Sequence, residues 1–554
     1  MPNRSLAAPK FGIAALLLLL ATVALYGWFL WNPVVFDDIS FFDGSVHDQY
    51  LNQFLPFAPR WLPYATLEWT RAALGLNLAW FRIGNLAIHA CNAIVLFVFL
   101  RRLFTVVVPN ELALAAGRPR LSLEWQAFFA ALLFALHPAA IYAVAYLVQR
   151  TSLAATLFIL LMALAFLEGL VRRSQVLLLA SAVLYLFAAT AKEHAIMAPA
   201  VMGVLFLLIA APSRKRIAFV APTFLLYAAI GVYVFFQVKT GHIVGQAYEP
   251  EGIDMLGRLH SMYPQFDPAL AYPLSILTQA SLFFKYLLLW VVPNPAWMSI
   301  DMREPFALTP GALPYLLGLL AFLAYPFVAF KLLLRRGAIG LLGLAMLSPW
   351  LMFATEFTTV RIQEPFVLYR SYIWMPLIFA CLPCLLQRLS PKPAVAVLVV
   401  CALFFVPLSL DRLRSFSHGL LLWDDAAQLI DKDDVRPGVD RIFHNRGVML
   451  ARVKLYKQAV QDYDRAIQIN PGYAYYYNDR GAAWLEDGRP DRALADFNQA
   501  IRMSTKYTRP FYGRGLAEEK LGDRNAAVRD FATACEMGSA VACNRVALHQ
   551  GGRS

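Results

Sequence analysis

The stretch from Phe11 to Leu30, FGIAALLLLLATVALYGWFL, runs twenty residues without a charge. As an α-helix it is about 30 Å long, the thickness of a bilayer's hydrocarbon core. Arg4 and Lys10 flank it and no small-residue cleavage site follows, so it reads as an uncleaved signal anchor. Similar runs recur through the first four hundred residues. The chain of 554 residues is 59% apolar and 15% charged, with a mean hydropathy of +0.54, against roughly 25% charged in an average soluble domain. A single soluble domain, a disordered chain and a disulfide-stapled secreted module are excluded, and an integral membrane protein is expected.

The formal charge of +13 does not point to nucleic acid, because Lys and Arg gather between apolar runs, where they orient a membrane chain. Apolar runs with basic flanks predict helices near 11–30, 84–100, 123–141, 152–171, 175–191, 195–211, 217–236, 311–333, 338–354, 372–387 and 393–409, about eleven spans. Arg101 and Arg102, Arg172 and Arg173, Arg214 to Arg216, Arg335 and Arg336, and Arg388 with Lys392 then share a side with the N-terminus, which the positive-inside rule makes cytoplasmic. Counting Tyr272–Pro293 as a further span moves Arg335 and Arg336 across the membrane and carries Lys285 into hydrocarbon. It is therefore read as an interfacial or re-entrant helix on the outer face. Cys381 and Cys384 form a CxxC inside an apolar run, which suits packing better than thiolate chemistry.

From about Asp440 the composition turns soluble and repeats every 34 residues. Phe443, Tyr477 and Phe511 are in step, as are Gly447, Gly481 and Gly515, Ala459, Ala493 and Ala527, and Tyr463, Phe497 and Phe531. This is the tetratricopeptide pattern, with Pro471 closing the first repeat and Thr505 and Ser539 in its place in the next two. Such arrays present a concave surface to a peptide or protein; the tyrosines at 473, 475, 476 and 477 fit a binding face or a core equally. Cys535 and Cys543 are spaced for a bridge across a helical hairpin, which an oxidising compartment permits. The expected organisation is a membrane domain over 1–410, a linker over 411–439 and a periplasmic repeat domain over 440–547.

The unusual polar residues fall in the segments assigned to the outer face. Asp37 and Asp38 follow the first span, and neighbouring carboxylates can work as a general base with an orienting partner or simply cap a helix. Arg150, Lys192 and Arg370 lie at outer ends of spans, where they can grip a phosphate or snorkel to the interface. Lys192-Glu193-His194 forms a tight ionisable turn. Glu364 with Arg370, Tyr369 and Tyr372 makes a second concentration, and Gln279, Lys285 and Asp301 a third. His137 precedes Pro138 at a helix exit and suits a hydrogen-bonded structural role better than a catalytic one. His89 and Asn92 share a helical face suited to interhelical hydrogen bonds. No nucleotide-binding or protease signature is evident.

Taken in order, the acidic pair, His89-Ala90-Cys91-Asn92, His137-Pro138 followed by Arg150, the Lys192-Glu193 turn, Tyr369-Arg370-Ser371-Tyr372 and the repeats resemble the multi-spanning protein O-mannosyltransferases with tetratricopeptide repeats and their bacterial relatives. The resemblance covers essentially the whole chain and implies an all-α, GT-C-like transmembrane helix bundle followed by a helical repeat domain. It implies an inverting glycosyltransferase of a bacterial inner membrane, which moves a sugar from a polyprenyl-phosphate carrier to a protein or glycan acceptor on the outer face. In that reading Asp37 or Asp38 is the base, and Arg150, Lys192 and Arg370 neutralise the departing phosphate. His137, Glu193, His194, Gln279, Glu364 and Tyr372 support the pocket. No cofactor is expected beyond the donor; no convincing metal-ligand set is seen, although the class leaves a divalent metal open. The segment Gln363 to Tyr372 departs from the family's Glu-Arg-Tyr core, which puts the role of Arg370 in question. The alternative from another class is a non-enzymatic membrane scaffold whose repeats recruit periplasmic partners.

Overall fold

The structure, a computed structural model, describes residues 9–36, 38–39, 58–108, 120–239, 244–247 and 250–551. The described chain is all-helical, its extended pairing limited to one isolated bridge between Met302 and Phe366. It divides into two units, Met1–His418 and Gly419–Ser554.

The first unit runs through α1 (Phe11–Tyr26), α2 (Trp61–Leu74), α3 (Leu78–Val107), α4 (Leu123–Ala135), α5 (Ile141–Val144), α6 (Arg150–Arg172), α7 (Gln175–Ala191) and α8 (Ala198–Ile209). It continues through α9 (Arg214–Lys239), α10 (Pro250–Met262), α11 (Ala271–Val291), α12 (Leu313–Leu334), α13 (Gly337–Phe353), α14 (Leu382–Leu386) and α15 (Pro391–Ser415). Polar residues set the starts: the side chains of Asn77, Ser122 and Ser174 accept backbone N–H groups one turn into α3, α4 and α7, satisfying donors that a helix leaves open. Pro138 holds His137 extended (ψ 129°) and bends the chain by 50° between α4 and the helix that follows.

Among the described residues eight helices are long and apolar enough to cross a membrane, or nine if that bent pair counts as one. Seven of the expected eleven are in this set and the bent pair is the eighth. The remaining three, Gln175–Ala191, Glu193–Ile209 and Pro376–Leu386, are shorter apolar helices. Residues 372–381, expected to open a regular span, instead belong to successive 3₁₀ turns (Leu368–Ile373 and Pro376–Cys381), with Pro376 preventing a continuous helix through them.

The remaining long apolar helix is α11, read from sequence as lying at the interface. Near its start the Tyr272 hydroxyl donates to the Phe357 carbonyl, 2.9 Å away, just beyond α13. At its far end Trp290 stacks on His137, ring centroids 4.4 Å apart, at the exit of α4. α11 thus links the end of α4 to the segment just beyond α13, and by length and composition it is long and apolar enough to cross a membrane. Its Lys285 ion-pairs with Glu304 and lies over the Phe366 ring.

At the end carrying the basic flanks, Arg102 and Arg172 share Glu168, each at 2.6 Å. At the opposite end Arg60 N–H meets the Thr190 carbonyl at 2.6 Å, the Ser409 hydroxyl donates to Leu136, and Arg412 donates to Met298. Segments far apart in sequence therefore gather at one end.

The second unit contains α16 (Gly419–Gln428), α17 (Val439–Arg452), α18 (Tyr456–Ile469), α19 (Ala474–Glu486), α20 (Pro490–Met503), α21 (Thr508–Leu521), α22 (Arg524–Glu536) and α23 (Ala540–Gly551). Much of the segment read as linker is thus helical, because Leu420 of α16 packs on the first repeat's core. The glycine column has a steric cause. A Cβ on Gly447, Gly481 or Gly515 would sit 2.8, 3.0 or 2.7 Å from the ring of Tyr463, Phe497 or Phe531, so the two helices of each repeat approach closely only with glycine there. Cys535 and Cys543 form a disulfide that joins α22 to α23.

Candidate active site

The site is built where the outer-assigned segments meet. Asp38 is fully buried and its two carboxylate oxygens accept the N–H groups of Leu147 and Val148 at 3.1 and 2.9 Å. These are open donors at the start of the helical segment that leads into α6, a natural seat for a carboxylate. Burial pushes its pKa up to about 7 against the lowering effect of the Val148 hydrogen bond and the Arg82 charge. Asp38 is thus a clamp on this turn. Asp37 lies outside the described residues.

Arg82 completes the clamp by donating to the carbonyls of Asn32, Pro33 and Ala145. Arg150, expected to hold phosphate, is instead enclosed in the bundle. It is 2% exposed, and its guanidinium donates to Asn85 Oδ1 at 2.8 Å, to the Phe81 carbonyl at 2.7 Å and to Thr66 Oγ1 at 3.2 Å. A residue one helical turn from an apolar run can point inward as readily as outward, and here buried carbonyls needing donors decide it.

Lys192 behaves differently. Its ammonium donates to Gln149 Oε1 at 3.0 Å and stands over the Tyr369 ring, 5.8 Å from the centroid. No carboxylate lies within 4.0 Å of it among the described residues. Burial, followed by the nearby charge of Arg60, brings its pKa down to about 7. The neighbouring Glu193 is held by Arg60 through two hydrogen bonds of 2.5 and 3.1 Å. Burial pushes the Glu193 carboxyl up, and the Arg60 guanidinium overrides it and keeps the carboxyl well below the usual range.

A second, connected cluster centres on Glu356, which is fully buried. It accepts from His194 Nε2 at 3.0 Å and Arg370 Nη1 at 3.2 Å, with Arg361 Nε at 3.4 Å. Arg370 also reaches Glu364 at 3.4 Å. Burial lowers the His194 pKa against the raising effect of Glu356, and its Nδ1 is buried without a hydrogen-bond partner, 3.7 Å from the Glu193 carboxylate. The structure therefore brings Lys192, Glu193, His194, Glu364 and Arg370 into one polar region.

The other expected pocket residues serve as internal ties. The Tyr372 hydroxyl meets His89 Nδ1 at 2.6 Å and Asn92 Nδ2 at 3.1 Å. His137 uses both nitrogens, Nε2 donating to the Trp290 carbonyl and Nδ1 accepting from Ala139. Gln279 donates to the Pro365 carbonyl at 2.7 Å. Each is fully buried and holds a bend or a 3₁₀ turn in place, which is where unpaired backbone groups arise.

Five residues of the region escaped the sequence reading: Arg60, Arg82, Gln149, Glu356 and Arg361. Arg82 and Glu356 carried a usable signal, a charge within or at the end of a long apolar helix. The other three stand in short connecting segments, Gln149 in the buried 3₁₀ turn before α6, and are distinguished only by their partners. Among the described residues no group of three or more His, Cys, Asp or Glu side chains is placed to hold a metal ion.

Comparison with known proteins touches the repeats. The tetratricopeptide repeat profile matches residues 440–473. Among solved structures, the Arabidopsis OM64 tetratricopeptide domain is 29% identical, covering 20% of this chain and 95% of that one, with a TM-score of 0.19. The second such domain of human RPAP3, in complex with an HSP70 peptide, is 26% identical over 20% of this chain and 95% of that one, TM-score 0.19. MamA is 20% identical over 26% and 77%, TM-score 0.19. No curated protein sequence matches the chain.

Proposed function

We propose that the apolar unit is a membrane glycosyltransferase that moves a sugar from a polyprenyl-phosphate carrier to a protein or glycan acceptor on the outer face of a bacterial inner membrane. The observation that carries this reading is Lys192, a buried ammonium with no carboxylate within 4.0 Å among the described residues, beside the charges of Arg60 and Arg370 at one end of an apolar bundle. A buried charge of this kind is costly, and an anionic headgroup at the membrane surface offsets that cost. In the transfer the acceptor oxygen bonds to the anomeric carbon, the bond from that carbon to the phosphate oxygen breaks, and the hydroxyl proton passes to a carboxylate. Lys192 meets the negative charge that grows on the phosphate, where stabilisation lowers the barrier, while Arg370, paired with Glu356 and Glu364, is left out of that contact.

The base comes from the acidic pair after α1. With Asp38 engaged by two backbone N–H groups, Asp37 takes the proton and Asp38 serves the fold. Arg150, with three protein acceptors, is left out of the phosphate set. The repeat unit recruits the acceptor, and its disulfide agrees with an oxidising outer compartment.

The test is mass spectrometry of outer-compartment proteins and glycans from cells expressing wild type, Asp37→Asn or Lys192→Met. A sugar-sized mass lost in both variants at normal expression is the expected result and names acceptor and sugar class together. Unchanged masses in both would leave the membrane unit a scaffold for the repeats.

A further inference from the structure

Beside the Glu356 cluster lies a small cleft lined by Ala247, Gly252, Val360, Arg361, Gln363, Glu364 and Arg370. Its free volume of about 40 Å³ has room for roughly three water-sized groups. Gln363 Oε1 is buried here without a hydrogen-bond partner, and native structures seldom leave such an acceptor unmet. Arg361 Nε makes no hydrogen bond and faces the Glu356 carboxylate at 3.4 Å.

The charge around the cleft decides what it takes. Arg361 and Arg370 are balanced by Glu356 and Glu364, so the lining is neutral. A phosphate placed here would meet the Glu364 carboxylate and the Gln363 carbonyl oxygen, both acceptors. A hydroxyl suits the lining better, since it donates to Gln363 or Glu364 and accepts from Arg361.

We infer that this cleft recognises the neutral, hydroxyl-bearing edge of the transferred sugar, with Arg361, Gln363 and Glu364 as its specificity-determining residues, while Lys192 holds the phosphate. The assignment rests on the transferase reading and separates two subsites within it. An unfilled hydrogen-bonding site of this kind discriminates strongly among hydroxyl patterns.

The test uses the full chain in lipid nanodiscs and measures binding of two probes, bare polyprenyl phosphate and polyprenyl phosphate charged with one hexose at a time. Gln363→Ala and Gln363→Leu, which leave the Glu364–Arg370 pair in place, are expected to weaken the preferred sugar-charged carrier about tenfold and leave the bare carrier unchanged, which also shows that the variants fold. Equal losses for both carriers would make the cleft a phosphate site and overturn the assignment. Unchanged binding of both by the variants would overturn it too, with the transferase reading intact. A wild type that binds neither carrier would remove the transferase reading and the cleft assignment together.

Discussion

The Lys192 ammonium and the Gln149 amide are joined by a hydrogen bond of 3.0 Å from Nζ to Oε1, and this neutral acceptor stands where a buried lysine ordinarily finds a carboxylate. Gln149 also accepts from Ser152 Oγ at 2.9 Å, so its oxygen is fixed before any ligand arrives. The pair holds a cation in place without cancelling its charge.

The first prediction concerns pH. Lys192 titrates near 7 in the folded chain, lowered first by burial and then by the Arg60 charge. Below that value it is charged and able to hold an anion, and above it the ammonium is lost. The KM for a lipid-phosphate donor therefore rises as pH passes upward through 7, and Lys192→Arg moves that rise to higher pH. The stability effect has the opposite sense. Between about 7 and 10.5 the unfolded chain binds the extra proton, so this group's contribution to stability grows as pH rises through that window. Steady-state kinetics and thermal unfolding over pH 6–9 check both signs.

Asp38 and Asp37 are predicted to fail differently. Removing the Asp38 carboxylate leaves the Leu147 and Val148 N–H groups unmet, each a penalty of about 1–3 kcal/mol. Asp38→Ala should unfold at clearly lower temperature and lose turnover only with its structure. Asp37→Asn should unfold like wild type and lose turnover about a hundredfold or more, in the range of general-base catalysis. Thermal unfolding in detergent beside a turnover assay separates the two, and equal stability for both variants would end the division of labour.

Glu356 is the shared counter-ion of Arg361 and Arg370. Its loss in Glu356→Gln leaves two guanidinium groups with reduced compensation in a buried site, a cost of about 3–5 kcal/mol. Replacing Arg361 by Met in the same chain removes one of those charges and should recover part of the loss. If the double variant is less stable than the single one, Arg361 is held by something other than this carboxylate. Urea denaturation monitored by tryptophan fluorescence reports the difference.

The period of 34 in the repeats was readable because each column has a steric cause, as at Gly447 against Tyr463. The apolar helices were readable because length and hydropathy are local properties. The site was harder to read. Sequence marks Arg150 and Lys192 alike, as cations at span ends, yet one is tied to Asn85, Thr66 and Phe81 and the other has no carboxylate within 4.0 Å among the described residues. That distinction depends on α3 packing on α6 and on the turn before α6, contacts between segments some sixty residues apart. Likewise 3₁₀ turns replace the regular span expected from 372, where Tyr372, Ser371 and the preceding Val367 bind the side chains of α3 and α11, tertiary contacts that no local pattern encodes.

In the repeats an arginine ladder links successive turns. Arg480 makes a two-pronged contact with Asp496 of its own repeat at 2.8 and 2.7 Å and reaches Asp464 of the repeat before it at 2.6 Å. Arg514 repeats this with Asp530 and Asn498, and Arg446 with Asp462 and Asp424, so α16 supplies the rung that a preceding repeat would give. A double-mutant cycle should show coupling of about 2–3 kcal/mol between Arg480 and buried Asp496, and at most about 1 kcal/mol with Asp464, whose side chain is 53% exposed. Equal couplings would mean that geometry, not burial, sets the strength.

The disulfide between Cys535 and Cys543 gives a prediction in which chain entropy and packing disagree. The bridge closes a separation of eight residues, and loop-closure entropy alone assigns its reduction a cost of about 2.5 kcal/mol. The hairpin it closes is already joined by the Ser539 N–H to the Ala534 carbonyl at 2.9 Å and by Cys543 N–H to Ser539 at 3.0 Å, and Phe531 stacks on His549 across it. These contacts keep the reduced hairpin partly ordered when α23 loosens, so the measured loss should fall below the entropic figure. It should also appear as fraying of α23 before the rest of the repeats unfold. Hydrogen exchange on the full chain with and without reductant reads this directly. Faster exchange confined to α22 and α23 is the expected pattern, whereas uniform acceleration from α17 onward would show that the bridge stabilises the whole array.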